Sequence, residues 1–193
     1  VRELIEKALR DGAELNMRMA GSMAGEIEAA ARTIASAIRA GNKLLLFGNG
    51  GSAADAQHVA AEFVNRFLVE RPPLAAIALT TDSSVLTSIA NDYSFDELFS
   101  KQVKALGRAG DVALGISTSG SSRNVTAALD AAKALGMKTI ALTREGGAMV
   151  AGADVALAVP SAFTPRIQEG HIAILHIVCE LVDLILFPEA RKG

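Results

Sequence analysis

Residues 44–63 read LLLFGNGGSAADAQHVAAEF, an apolar run that meets a glycine-serine turn and then an alanine-rich segment. The run at 44–47 is short and bounded by Gly48, as suits a buried parallel strand. The segment after the turn has helix-forming composition, with apolar residues spaced near 3.6. The stretch therefore predicts strand, tight turn and helix. Gly48, Gly50 and Gly51 let backbone N–H groups approach a ligand closely, while the new helix aims its positive end and unpaired donors at the same place. That combination is an anion cradle. His58 and Glu62 stand four residues apart, so both side chains leave one helix face, about 6 Å apart along the axis. A phosphate site is expected beside an acid–base or metal site.

Composition narrows the choices. The chain has 193 residues, half of them apolar and 21% charged, enough for a real core and read as a single globular domain. A formal charge of −2 argues against a nucleic-acid partner, whose binding modules usually carry a basic patch or stripe. The lone cysteine, Cys179, excludes an intrachain disulfide framework, reads as a small core filler and fits a reducing cytoplasm. No uncharged span reaches the roughly 18 residues of a membrane helix. Residues 172–187 come closest, and Glu180 and Asp183 interrupt them. No membrane partner is expected.

Along the chain, residues 2–20 and 25–40 read as two helices broken at Gly21-Ser22, with Gly41-Asn42 closing the second. Two helices ahead of the first strand need a surface to pack on, and a partner subunit would supply one. After the opening stretch, Arg71-Pro72-Pro73 breaks the helix and residues 74–80 predict a second strand, ending in TTDSS at 80–84. Helices follow at 85–90 and 95–106, separated by Asn91-Asp92-Tyr93. A third strand at 111–116 runs into STSGSS at 117–122, then a helix at 124–135, strands at 139–143 and 155–159, and a last helix at 165–187. Strands alternating with crossover helices imply a mostly parallel sheet covered by helices. Ligands gather at the carboxyl ends of such strands. Three polar loops fall there: 48–52, 80–92 and 117–122.

GNGGS alone says little, because glycine turns between strand and helix are common, and it has neither the P-loop lysine nor the dinucleotide GxGxxG spacing. The serine loop adds weight. Ser117, Ser119 and Ser122 offer hydroxyl donors, and the backbone near Gly120 and the next helix start offer N–H groups. Ser122 also suits an N-cap. Two such loops, both lacking lysine, suit a phosphate monoester held by neutral donors and helix ends. The last helix carries Gln168, His171 and His176 in apolar sequence, where a lone histidine is usually a hydrogen-bonded core residue. On one straight helix, Gln168 and His176 lie about 12 Å apart along the axis and about 80° apart around it. Either Gln168 belongs to the turn before the helix, or the site draws these groups from different subunits. Gly170, between Glu169 and His171, is read as the place where the segment bends.

FGNGGSAADAQHVAAEF, RPPLAAIALTTDSSVLTSIANDYSFDELFSKQV, GDVALGISTSGSSRNV and TPRIQEGHIAILHIVCELVD together resemble the sugar isomerase (SIS) domain family and, within it, the phosphoheptose isomerases. The resemblance spans nearly the whole chain. It implies a three-layer α/β/α sandwich with a five-stranded parallel sheet over residues 42–187 of a single SIS domain (1–193), with residues 1–41 used in oligomer packing. It further implies a cytoplasmic homotetramer with sites at subunit interfaces, and one Zn2+ per subunit held by His58, Glu62, Gln168 and His176. Around the substrate it places Asn49, Gly50, Gly51, Ser52, Glu62, Asn91, Asp92, Ser117, Thr118, Ser119, Ser122 and Gln168. The family's reaction interconverts sedoheptulose 7-phosphate and D-glycero-D-manno-heptose 7-phosphate. Glu62 is then the base for carbon and His176 the acid, although a carboxylate beside a cation becomes less basic, so ligation and base duty conflict for Glu62. A related SIS protein that binds the DNA replication initiator without catalysis shares the turn and the RIQE segment. It lacks an acid and a histidine at the positions of Glu62 and His176, and both are present here. A sugar-phosphate sensing module would need a second domain that this length does not hold.

Overall fold

Both faces of the central strands are buried, which is why residues 44–47 carry an unbroken apolar run in place of an alternating one. The computed structural model describes residues 1–192. In chain order it forms α1 (Arg2–Ser22), α2 (Ala24–Arg39), β1 (Leu44–Gly48), α3 (Gly51–Val64), β2 (Ala76–Ala78), α4 (Ser83–Asp92) and α5 (Leu98–Leu106). There follow β3 (Val112–Ile116), α6 (Arg123–Ala134), β4 (Lys138–Arg144), β5 (Val155–Val159) and α7 (Thr164–Leu186). The strands make one five-stranded sheet, ordered β2-β1-β3-β4-β5 and parallel throughout. Leu44 and Leu46 point into a core shared with α1, α2, α3 and α7, whereas Leu45 and Phe47 point into a second core with α4, α5 and α6. The three-layer α/β/α sandwich is thus present as expected.

The order reverses between β1 and β3, because β1 leads outward to β2 and β3 leads the other way to β4. In a doubly wound sheet that reversal opens a crevice at the carboxyl ends of the two strands. The glycine turn and the serine loop both leave from it. Gly48 lies opposite Ile116 in the β1–β3 register, so the two loops start at one level.

Several boundaries depart from expectation. Strand β2 is only Ala76–Ala78, although Leu44 N–H still donates to Ala75 O (2.9 Å) and Leu79 N–H to Leu46 O (2.9 Å). It is an edge strand behind two prolines, which cannot donate to a ladder. Helix α4 starts two residues early because Asp82 caps it, accepting from Val85 N–H (3.0 Å), and it ends at Asp92. Asn91 and Asp92 therefore belong to a helix end, not to a strand-end loop. The α1–α2 break falls at buried Met23 and not at Gly21-Ser22. A 3-10 turn, Phe95–Glu97, replaces the first turn expected of α5.

Helix α7 runs through Gly170, helical without interruption from Thr164 to Leu186. A Cβ there would lie 3.1 Å from a Val159 methyl and 3.2 Å from Met19 Sδ, so glycine permits close packing of α7 on β5 and α1. Its helix-propensity cost is offset by that contact. Among the described residues no helix is long and apolar enough to cross a membrane. Gly170→Val should overpack this contact and cost about 1–3 kcal/mol. A lowered urea midpoint at constant m-value reads this; an unchanged midpoint would refute the packing role.

Candidate active site

The turn after β1 closes onto the neighbouring strand. A Cβ on Gly48 would lie 2.8 Å from Ser52 Cβ and 2.9 Å from Ile116 O, and Gly50 has φ 56, a backbone that side-chain-bearing residues rarely adopt. Ser52 N–H and Ala53 N–H donate back to Asn49 O and Gly50 O (3.0 Å each), starting α3 inside the turn. Ser52 itself is buried. Gln168 comes from the second turn of α7 and its amide lies against Gly51, where any Cβ would overlap it. Of the two placements left open for Gln168, the pre-helical turn is thereby removed.

The serine loop is tied by its own hydroxyls. Ser117 Oγ lies 2.8 Å from Ser122 Oγ and 3.2 Å from Ser119 Oγ, and accepts from Gly120 N–H (3.2 Å). Ser122 occupies the N-cap position of α6, yet its hydroxyl serves this cluster and makes no cap bond. Thr118 is half-buried between them. Gly120, at φ 69, packs against Gly147 and Thr143. Beside these neutral donors, Arg144 at the end of β4 donates from Nε to Ser119 O (3.3 Å) and brings a cation to the loop.

One pair of residues joins the two loops. Asn49 and Asn124 exchange amide hydrogen bonds, Nδ2 to Oδ1 in both directions at 2.9 Å, and Asn124 is 2% exposed. Sequence reasoning missed Asn124, since an asparagine in the first turn of a helix reads as capping chemistry. The amide ring fixes the orientation of Asn49 beside the glycine turn.

Helices α3 and α7 bring the histidines together. His58 Nε2 and His176 Nε2 are 2.9 Å apart, with ring centroids at 5.1 Å, and Phe67 stacks on His176 at 5.4 Å. Glu62 lies on the other side of the His58 ring, its Oε1 3.6 Å from Nδ1. Asp55, one turn before His58 on the same face, has its carboxyl raised above the usual range by burial, opposed by the nearby His58 and His176. Neither Phe67 nor Asp55 carried a sequence signal. By contrast, Asn91 and Asp92 bond each other (Nδ2 to Oδ1, 2.8 Å) on the exposed last turn of α4. Helical rise puts Asn91 roughly 12 Å from the start of that helix. One chain thus gathers His58, Glu62 and His176, and separately Asn49, Ser117, Ser119 and Ser122, while Asn91 and Asp92 bond each other at the exposed end of α4.

Two zinc-bound nitrogens at tetrahedral angles would lie about 3.3 Å apart, so the His58–His176 pair fits a metal after opening slightly. Glu62 faces Nδ1 rather than Nε2, and among the described residues no group of three or more His, Cys, Asp or Glu side chains is arranged to hold an ion. Two donors of the expected four converge.

Residues 9–144 match the SIS domain. The chain belongs to this family. A phosphoheptose isomerase of Thermodesulfovibrio yellowstonii is 53% identical over 100% of this chain and 97% of its own length, which places the chain among the phosphoheptose isomerases. Solved phosphoheptose isomerases from Neisseria gonorrhoeae (45% identity, TM-score 0.89, 94% of this chain and 98% of that one) and Francisella tularensis (39%, 0.90, 94% and 97%) share the fold over nearly the whole length.

Within this SIS domain, His171 does not reach the histidine pair. It is fully buried, with Nε2 donating to Thr143 O (3.1 Å) and Nδ1 without a partner among the described residues. It braces the end of β4 behind the serine loop. Burial lowers its pKa to about 4, the bond to Thr143 opposing. Cys179 is buried too, and burial pushes its thiol up to about 12, in keeping with a core filler.

Folded His171 takes up a proton only near pH 4, whereas the unfolded chain does so near 6.5. The unfolded state therefore binds more protons between those values, and stability falls as pH drops from about 6.5 to about 4. Between pH 7 and 4.5 the wild type should lose about 2–3 kcal/mol more than His171→Met, read by urea unfolding. Equal losses would refute the buried neutral histidine.

Proposed function

We propose that this chain interconverts the ketose sedoheptulose 7-phosphate and the aldose D-glycero-D-manno-heptose 7-phosphate, the opening step towards nucleotide-activated heptoses for bacterial glycans. The observation that carries the reading is the meeting of His58 and Glu62 on α3 with His176 on α7, beside two hydroxyl- and amide-bearing loops tied through Asn49 and Asn124. Kinship at 53% identity supports isomerisation over the non-catalytic, initiator-binding alternative.

The substrate phosphate lies in the serine loop, on the Ser119 and Ser122 hydroxyls, Thr118 and the start of α6, whose N-terminal dipole favours an anion. The glycine turn, Ser52, Gln168, Asn91 and Asp92 contact the sugar. With the ketose bound, Glu62 takes a proton from C1, the electron pair forms the C1–C2 double bond, and His176 gives a proton to the C2 oxygen, yielding the cis-enediol. Glu62 then returns its proton to C2 as the O1 proton leaves to His176 and the C1 carbonyl forms. Both side chains end as they began.

A zinc ion held by His58 and His176, with Glu62 and Gln168 completing the set, is part of the proposal; such an ion would polarise the substrate carbonyl and its enediolate. The convergence of two imidazole nitrogens supports it. A homotetramer with sites at subunit contacts is supported by the exposed apolar side chains of Leu4, Ile5, Leu9 and Met17 on α1. Packing by residues 1–41 would cover them, leaving residues 42–187 as the α/β core. A single buried thiol and a phosphorylated substrate support a cytoplasmic setting.

Glu62→Gln and His176→Gln should each abolish turnover of sedoheptulose 7-phosphate while leaving the oligomer intact by light scattering; wild-type turnover in either would overturn the assignment. Ser119→Ala should weaken substrate binding by about 1.5–3 kcal/mol, the range for a hydrogen bond to a charged group. Titration calorimetry that finds unchanged affinity would remove this loop from the phosphate site. Elemental analysis should find one zinc per subunit in wild type and loss of zinc in His58→Ala, with a lowered melting temperature; equal zinc in both would refute the metal site.

A further inference from the structure

Between α3 and β2 the chain carries Arg71, just before two prolines that hold it extended. An arginine in a loop is ordinarily solvated. Here its side chain is 2% exposed and each of its three nitrogens donates inside the protein. Nη2 donates to Glu62 O (2.8 Å), and Nη1 to Phe63 O (2.8 Å), Asn65 O (3.2 Å) and Pro72 O (3.2 Å). Nε donates to Asp183 Oδ1 (2.8 Å) on α7. Glu62 O and Phe63 O are among the last four carbonyls of α3, which the helix itself cannot satisfy, and a cation at that end also matches the helix dipole. The guanidinium therefore fastens the end of α3 to α7.

Its place relative to the reacting groups gives this fastening a second use. One carbonyl it holds belongs to Glu62 itself, and His58 stands one turn back on the same helix. On α7, Asp183 stands seven residues, or two turns, beyond His176. Helices α3 and α7 thus meet at two points: His58 on His176, and the Arg71–Asp183 link about 6 Å further along α3. We infer that Arg71 and Asp183 are positioning residues for the isomerisation, setting the gap and register of α3 against α7 so that Glu62 and His58 face His176 at reacting distance. This rests on the function proposed above.

A planar fork is needed. Lysine keeps the charge but cannot reach four carbonyls and a carboxylate in one plane. Because misplacement by about 1 Å can cost on the order of 100-fold in rate, Arg71→Lys should lower kcat on the order of 10- to 100-fold. KM should stay within about threefold, since the phosphate is held by the serine loop, which the clamp does not touch. Asp183→Asn keeps an acceptor for Nε while removing the charge, and should lower kcat in the same sense. The double variant should be no slower than the slower single one, as befits two parts of one device.

The assay uses the full-length protein with sedoheptulose 7-phosphate, far below each variant's melting temperature and normalised to folded protein by circular dichroism. A purely structural pair would lower the melting temperature and leave kcat within twofold; that result overturns the inference. Should Arg71→Lys fail to fold, Asp183→Asn decides by the same criterion. Absence of turnover in the wild type would overturn the isomerase reading and this assignment with it, whereas active wild type with unchanged kcat in folded variants overturns this assignment alone.

Discussion

The parallel pairing of β1 with β3 is the constraint on which the rest of the molecule depends. Its register runs from Leu44 opposite Val112 to Gly48 opposite Ile116, so both strands stop at one level and release their loops side by side. A shift of one residue would reverse the faces of Leu44, Leu45, Leu46 and Phe47, each committed to one of two cores, and hydrophobic burial forbids it. Local chemistry then completes what the register begins. Gly48 has no room for a Cβ against Ile116 O, and Asn49 reaches across to Asn124. Loops that are 70 residues apart in sequence become one polar surface because two strands align.

The second axis of the site is made by helices, and the polar groups buried along it differ in what they accomplish. Arg71 and Asp183 are a buried ion pair, and taking both charges out of water costs several kcal/mol that their attraction only roughly offsets. Two apolar side chains of similar volume would hold α3 to α7 about as well. What they would lack is direction, because dispersion contacts slide whereas five hydrogen bonds from one planar group do not. His171 plays a related part behind the serine loop, holding Thr143 while remaining uncharged. In both places a desolvation cost has been accepted where geometry matters.

Patterns with a short reach were legible in the sequence. The apolar strands, the glycine turn, the serine loop and the order of crossovers predict the sheet, because each depends on neighbouring residues. Gly41 closes α2 with φ 82, as helix-stop chemistry predicts. What escaped depends on contacts across the fold. At Gly170 the propensity cost is visible in sequence, whereas its close contact with Val159 is not. Asn124 looked like a helix start because its partner lies 75 residues away. Phe67 and Arg71 follow α3 in a segment without regular pattern, and only packing on α7 gives them meaning. His58 and Glu62 illustrate the boundary: their shared face is a matter of helical spacing, but the meeting with His176 required a second helix. The resemblance to phosphoheptose isomerases supplied that pairing before geometry could.

Glu62 faces Nδ1 of His58, and this bears on the conflict between its two proposed duties. A carboxylate bound to a cation is a poor base. In many metal sites, however, a carboxylate accepts from the far nitrogen of a ligating histidine, fixing its tautomer and leaving Nε2 free to bind. Glu62 Oε1 lies 3.6 Å from Nδ1, longer than a hydrogen bond, while His58 Nε2 turns to His176. In the proposed mechanism a rotation about its own side chain carries it between completing the ion's ligand set and receiving the C1 proton. The backbone beneath it must then stay still while the carboxylate moves. Its own carbonyl is the one bonded to Arg71 Nη2, so the most mobile duty in the site stands on one of its most firmly held peptides.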